Sequence, residues 1–374
     1  MKRDALTLLR DPVTRARLEI EVFESRGEEI IEALLTSPTD WYPVSEGVPR
    51  LLTGDVRGDD SAFLMRHRLH ERLGVQQRSV GTSTQIETNK TFSDKWRRFR
   101  NYGFEAGHQK FLGGWFVKKF GLASPDELPG FYRRFKNILE IGPGSGFNTR
   151  FMAEHCAGTV VSVDISEAAN TTYGNVGTMP NVHVVQADCN LVPSEDGVFD
   201  FAIADGVLHH TPNTRAGVEN VLRKVRPGGQ FFFYVYKQMG AARRFCDRHL
   251  REHLSPLEPE ACYAACEGIT ELGRELSRLD ATVRLEKGIP LLGIPPGEHN
   301  VQRLLYYNFL KCFWNEAFDW ETNNMVNFDW YHPHDAWQHT EEEVRGWLSD
   351  FGVRDYAIHD ANPNGISVLL RKPG

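Results

Sequence analysis

The chain lacks any uninterrupted apolar stretch near the roughly 20 residues that a membrane-spanning helix requires, so no such span is expected in its 374 residues. Its opening, Met1-Lys2-Arg3-Asp4, leads into no apolar core segment, and no secretory signal is expected. Cysteine is sparse: Cys156, Cys189, Cys246, Cys262, Cys266 and Cys312 are scattered. The one close pair, Cys262 and Cys266, sits at i,i+4 spacing with no second cysteine or histidine pair to match it. That excludes a disulfide framework and offers no zinc pattern, so the expectation is free thiols, no metal and a reducing cytoplasm. An excess of basic residues is also missing. The net charge of −7 argues against a general binder of nucleic acid or membrane surfaces and leaves a small molecule as the expected partner. The basic clusters at 95–100, 133–136 and 243–251 have aromatic spacers at Trp96, Phe99, Phe135 and Phe245, which reads as solvated faces of amphipathic helices. Two nucleotide signatures are missing as well. There is no G-x-x-x-x-G-K-[ST] loop, and the third glycine position of a G-x-G-x-x-G fingerprint is held by Phe147, which disfavours a dinucleotide-dependent dehydrogenase.

Hydrophobic residues make up 41% of the chain and charged residues 25%, ordinary for a globular protein, and the length suits two or three units. The organising stretch is 136–149, Lys-Asn-Ile-Leu-Glu-Ile-Gly-Pro-Gly-Ser-Gly-Phe-Asn-Thr. Ile138, Leu139 and Ile141 suit a strand buried on both faces. Gly142, Gly144 and Gly146 then allow a turn in which a ligand lies against bare backbone, before a helix through Phe151 and Met152. From 135 to 236, strands expected at 159–163, 182–186, 199–204 and 230–236 alternate with helices, which argues an α/β, doubly wound, mostly parallel sheet. Thr211 reads as the cap of one helix, with Pro212 as its first residue and Pro227-Gly228-Gly229 as its end. Residues 237–339 read as a helix-like insert. Between positions 306 and 337, 11 of 32 residues are aromatic, against 11% across the chain. Thr340 and Glu343 then form a capping box, Gly352 closes that helix, and 356–359 with 365–371 complete seven strands. Upstream, 1–55 reads as a small module with strand-like alternation, and 56–134 as helices leading into the central domain, broken at Gly113-Gly114 and Ser124-Pro125.

Three carboxylates fall just past strand ends. Asp164, 24 residues after Glu140, is placed to accept hydrogen bonds from ribose hydroxyls; Asp188 can accept from an adenine amino group; Asp205 lies beside the glycine turn. With Glu140-Ile-Gly-Pro-Gly-Ser-Gly146, Val163-Asp164-Ile165-Ser166, Ala187-Asp188, the run 200–210 and Arg226-Pro-Gly-Gly-Gln-Phe-Phe, the sequence resembles the class I S-adenosylmethionine-dependent methyltransferases, across 135–236 and 340–374. The resemblance implies S-adenosyl-L-methionine as co-substrate. It implies that Glu140, Gly142, Gly144 and Gly146 border its methionine part, that Asp164 and Ile165 lie at the ribose, that Asp188 and Cys189 flank adenine, and that Asp205, Gly206 and Val207 line the floor near the sulfonium. More loosely, 1–55 is similar to the zinc-ribbon-like module preceding many bacterial methyltransferase domains. Its C-P-x-C turn is replaced here by Asp11-Pro12-Val13-Thr14, so a metal-free module is expected.

Methyl transfer asks a protein to align a nucleophile, exclude water and, for a protonated nucleophile, supply a base. His209 and His210 are candidates for that base, the alternative being that they only begin the next helix; Tyr331, His332 and His334 come second, with packing as their alternative role. For the insert, a lid with an aromatic core competes with a wall in which Tyr306, Tyr307, Phe313, Trp314, Trp330 and Tyr331 meet the sulfonium or an amine substrate by cation–π contact. Trp96, in the helices before the domain, is a further candidate for covering the site. The functional expectation is a small-molecule methyltransferase of specialised metabolism. The alternatives are a cyclase like the azetidine-2-carboxylate synthases, releasing methylthioadenosine, and a non-catalytic regulatory binder. The acceptor and the oligomeric state are left open by the sequence.

Overall fold

The computed structural model describes residues 1–73, 84–359 and 363–374, the side chains of 106–112 excepted. Helix α1 (Ala5–Leu8) precedes β1 (Glu19–Arg26), β2 (Glu29–Thr36), β3 (Trp41–Ser45) and β4 (Val48–Pro49). Then come α2 (Ser61–Arg66), α3 (His70–Leu73), α4 (Thr84–Arg98), α5 (Ala106–Phe120) and α6 (Glu127–Tyr132). The central alternation is β5 (Asn137–Ile141), α7 (Phe147–His155), β6 (Thr159–Asp164), α8 (Ala168–Val176), β7 (Val182–Gln186), β8 (Phe199–Asp205), α9 (Thr214–Lys224) and β9 (Val225–Tyr236). The insert holds α10 (Ala241–Leu254), α11 (Pro259–Arg278), β10 (Thr282–Leu285), β11 (Gly297–Asn300), α12 (Val301–Asn308) and α13 (Trp320–Tyr331). The chain closes with α14 (Glu341–Asp350), β12 (Tyr356–His359) and β13 (Gly365–Arg371).

Seven strands form one sheet in the order β12-β13-β9-β8-β5-β6-β7. The five from β7 to β9 are parallel, and β13 runs antiparallel between β9 and β12. This is the expected doubly wound, mostly parallel sheet. Adjacent residues of a strand face opposite sides, and both sides are buried. Leu139, Val161, Ala202 and Phe231 join one core with α9 and α14, while Ile138, Val160, Phe201 and Phe232 join the other with α5 and α6.

The N-terminal strands make an antiparallel meander, β1-β2-β3-β4. Asp11, fully buried, ties its turn together. Its carboxylate accepts from the Val13 and Thr14 amides at 2.9 and 2.7 Å, from Ser37 Oγ at 2.7 Å and from the Tyr42 hydroxyl at 3.0 Å. Burial pushes this carboxyl up, but the bonds from Thr14, Ser37 and Val13 outweigh it and hold the group below the usual range. Beyond β4, Arg50 bridges Gln186 in parallel and the Leu51 amide donates to the Gln186 carbonyl at 2.8 Å. The module therefore covers the edge that β7 would present, and Leu35, Tyr42 and Val44 share a core with Val161 and Val185.

Three expectations need correction. Helix α5 runs through Gly113-Gly114, because Phe116, Val117 and Phe120 are buried and outweigh the roughly 1 kcal/mol that each helical glycine costs. Helix α9 starts later than Thr211-Pro212. Asn213 is its cap, accepting from the Ala216 amide at 3.0 Å, and the Thr211 hydroxyl instead donates back to the Leu208 carbonyl at 2.7 Å. The insert is not wholly helical either: Gly288, Gly293 and Gly297, all at positive φ, turn the β10–β11 antiparallel pair. The Thr340–Glu343 capping box forms as expected, and Gly352 at φ 73° follows that helix.

Arg50 pins the meander to the sheet, donating to Gln186 Oε1 at 2.9 Å and Asn170 Oδ1 at 2.7 Å. Arg50→Ala strands both acceptors, and about 2 kcal/mol of stability should be lost, read as a lower midpoint in urea unfolding; an unchanged midpoint would show that the junction contributes nothing.

Candidate functional site

The order of the sheet reverses between β5 and β8, and a crevice opens at the carboxyl ends of those strands. A cavity of about 410 Å³ occupies it, within the range of ligand pockets. One half is walled by strand ends and their turns: Gly142, Asp164, Asp188 and Asp205 all line it, with Glu140, Ile165, Cys189, Gly206 and Val207 beside them.

The carboxylates behave differently. Glu140 is satisfied within the chain, accepting from Asn148 Nδ2 at 3.0 Å, Ser162 Oγ at 2.9 Å and the Thr149 hydroxyl, while burial pushes its carboxyl up. Asp164 Oδ1 accepts from the Ser166 amide at 2.8 Å and the Ser166 hydroxyl at 2.7 Å. No described residue donates to Asp164 Oδ2, and burial pushes this carboxyl up to about 6. Asp188 Oδ1 caps the short turn after β7 by accepting from the Asn190 amide at 2.7 Å. Asp205 is paired with the ammonium of the buried Lys119 from α5. Burial lowers the Lys119 pKa, partly offset by the Asp205 charge.

Of the three glycines in the turn, Gly142 is on the cavity wall and Gly144 and Gly146 are behind it. All three have positive φ, and a Cβ at Gly144 would fall 2.5 Å from the Trp96 ring. The bare backbone at 144 is therefore filled by this chain's own indole, whose ring lines the cavity.

The other half is built by α4, α5, the tyrosines of β9 and the insert, with Tyr234, Tyr236, Tyr306, Phe313 and Trp330 on the wall. Lys95 of α4 donates to Asp329 of α13 at 2.8 Å. The Asp329 carboxyl sits below its usual range: burial pushes it up, and the charges of Lys95, His210 and Lys311 more than reverse this. His210 reaches the cavity, and its Nδ1–H donates to the Asp335 carbonyl at 2.6 Å. That fixes the tautomer and leaves Nε2 as an acceptor. Burial pulls the His210 pKa down to about 4, so the ring is neutral near pH 7.

Several candidates stand elsewhere. His209 is fully buried off the wall, and burial drives its pKa far down. Tyr331 is also sealed in, its hydroxyl donating to the Lys311 carbonyl at 3.0 Å. His332 is used structurally, contacting Thr91 Oγ1 and the Leu257 carbonyl at 2.8 Å each, and His334 is exposed. Tyr307 packs at the edge of Tyr306, and Trp314 donates to Glu316 at 2.6 Å; neither is on the wall. The sequence reading missed Lys95, Lys119 and Lys311, each a cation embedded among aromatic residues; that embedding, in Phe-Leu-Lys311-Cys-Phe-Trp for example, was the available signal.

Residues 139–233 match the family described as a methyltransferase domain. The chain resembles sterol 4-C-methyltransferase strm-1 of Caenorhabditis elegans, 32% identical over 101 residues, covering 26% of this chain and 30% of that protein. It also resembles the sarcosine/dimethylglycine N-methyltransferase of Halorhodospira halochloris, 29% identical and covering 26% and 36%. The chain thus spans about a third of the length of these curated relatives. Among solved structures, N-methyltransferase NodS from Bradyrhizobium japonicum WM9 in complex with S-adenosyl-L-homocysteine aligns over 77% of this chain and all of that one, at 13% identity and a TM-score of 0.39.

The crevice has the donors and acceptors that an adenosyl ligand needs. The open Asp164 oxygen can accept from ribose, Asp188 and Cys189 line the same wall, and Gly142 offers bare backbone. Asp164 also carries a cost. Its raised folded value means that it penalises the fold once ionised: the penalty is absent near pH 4 and complete above about pH 6. Asp164→Asn should therefore stabilise the ligand-free chain by about 1–3 kcal/mol at pH 7.5, and hardly at pH 4, while removing S-adenosylmethionine uptake. Thermal unfolding and calorimetry at the two pH values test this; a destabilised variant, or one that binds as the parent does, would refute it.

Proposed function

We propose that the protein is an S-adenosylmethionine-dependent methyltransferase acting on a small molecule, with a role in specialised metabolism. The observation that carries this reading is the continuity of the cavity. It runs from the acidic strand tips to a second half, walled by Tyr234, Tyr236, Phe313 and Trp330, that the cofactor-binding set does not use. Bound at the strand tips, S-adenosylmethionine would supply an electrophilic methyl group on a sulfonium. The chain's own residues would do the rest. Asp164 would hold the ribose, the aromatic wall would exclude water, and His210 Nε2 would accept a hydrogen bond from an acceptor O–H or N–H and orient its lone pair. The division into module, helical linker, central domain and lid belongs to the same reading: α4 and the insert 237–339 would cover the site, and the space behind them favours a separate acceptor over cyclisation of the cofactor.

Incubation of purified protein with S-adenosylmethionine alone, followed by product identification, tests this. The expected result is S-adenosylhomocysteine only when an acceptor is added. Methylthioadenosine formed without acceptor would assign the cyclase reaction instead, and binding without turnover across an acceptor panel would assign a regulatory role. Within the aromatic set, Trp330→Leu and Phe313→Leu should weaken acceptor binding at least tenfold, because both rings are on the wall. Trp314→Leu, off the wall, should leave it unchanged; equal effects in all three would refute the assignment of the wall.

A further inference from the structure

Three lysines bring positive charge to the cavity, and two are neutralised within the chain. Lys95 is paired with Asp329 and Lys119 with Asp205. Lys311 is different. It is only 6% exposed and lines the cavity, yet its Nζ meets no carboxylate and donates no hydrogen bond among the described residues. The amine lies 4.0 Å from the centre of the Trp330 ring. A buried ammonium with only an indole face beside it is costly to keep.

The position is held firmly. The Lys311 carbonyl accepts from the Tyr331 hydroxyl at 3.0 Å. Gln302 Nε2 donates to the Cys312 carbonyl at 3.1 Å, and the Phe313 amide donates to Asn327 Oδ1 at 2.7 Å. Three side chains from α12 and α13 thus fix the backbone that carries the amine, which is how a binding group is preorganised.

We propose that Lys311 is an anion seat: it receives a carboxylate or a phosphate-like oxyanion of a ligand in the acceptor half of the cavity. The acceptor side is favoured because Trp330, beneath the amine, packs tilted against Tyr236 with 4.4 Å between ring centres, at the end of β9 and away from the glycine turn. The proposal rests on the methyl-transfer reading only for calling that half the acceptor's. A carboxylate could come from the acceptor or from the methionine part of the cofactor, and both would use the same ammonium.

The surroundings set the pH behaviour. Burial, with the positive charges of Arg243 and Lys95, pulls the Lys311 pKa down to about 7, against the opposing pull of Asp329 and Asp247. An anion that needs the protonated amine therefore binds about tenfold more tightly at pH 6 than at pH 8. His210 is neutral throughout that window. Asp164, at about 6, also titrates in this cavity and is common to parent and variant.

Benzoate and sulfate, neither of which titrates between pH 6 and 8, are suitable probes, and calorimetry with intrinsic tryptophan fluorescence the readouts. The full chain should bind one or both saturably, more tightly at pH 6 than at pH 8. Lys311→Met should weaken this at least tenfold and reduce the pH dependence to the part contributed by Asp164, while Lys311→Arg retains binding with only that residual dependence. The source of the natural anion is read from cofactor affinities. Lys311→Met weakening S-adenosylmethionine but not methylthioadenosine, which has no carboxylate, assigns the seat to the cofactor; unchanged affinity for both assigns it to the acceptor. Absence of saturable anion binding by the parent, or equal binding by Lys311→Met, overturns the proposal. The titrations need no turnover, so their failure leaves the methyl-transfer reading intact, and a failure of that reading leaves the anion affinities as measured.

Discussion

The contact on which the site depends is that between the Trp96 ring and the bare backbone at Gly144, where any side chain would meet the indole at 2.5 Å. The glycine is therefore required by the protein's own packing, and the indole it admits lines the cavity. From this point α4 is tied in both directions. On the domain side, Thr171 donates to the Trp96 carbonyl at 3.2 Å, and Ser145 donates to the Tyr102 carbonyl just beyond the helix at 2.7 Å. On the insert side, Lys95 reaches Asp329, Thr91 contacts His332, and Thr88 Oγ1 accepts from the Asp335 amide at 3.1 Å. One helix thus forms a wall for both halves of the cavity.

The central sheet was legible because its signals are local. A strand buried on both faces reads as an apolar run, and a glycine turn followed by acidic strand tips reads as a crevice. The capping box before α14 is a four-residue pattern and formed as read. The errors came where burial or a competing local bond decided the outcome. Gly113-Gly114 looked like a break until the burial of Phe116 and Phe120 was set against it. Thr211 looked like a cap, but its hydroxyl is turned back to Leu208.

The half of the cavity walled by β9 and the insert was much less legible. Aromatic enrichment between 306 and 337 marked the segment but could not sort its members. Helix α13 buries residues around most of its circumference, so periodicity does not separate wall from packing: Trp330 faces the cavity while Tyr331, one residue on, is sealed behind it. Ion pairs were invisible because their partners are far apart in sequence, Lys95 from Asp329 and Lys119 from Asp205.

The charges of the cavity also set how two helices meet. A buried ion pair contributes little net stability against an apolar replacement, while removing one partner is expensive. Lys95–Asp329 is such a pair, and it joins the helix that covers the glycine turn to the helix that carries Trp330. Its value lies in register, since the two elements meet in one relative position or leave a charge stranded. The same helix α4 contacts the glycine turn through Trp96, one residue from Lys95, so a single helix holds both the contact at Gly144 and the pair with Asp329. Both halves of the cavity therefore share one wall, held by packing at Gly144 and by charge at Asp329.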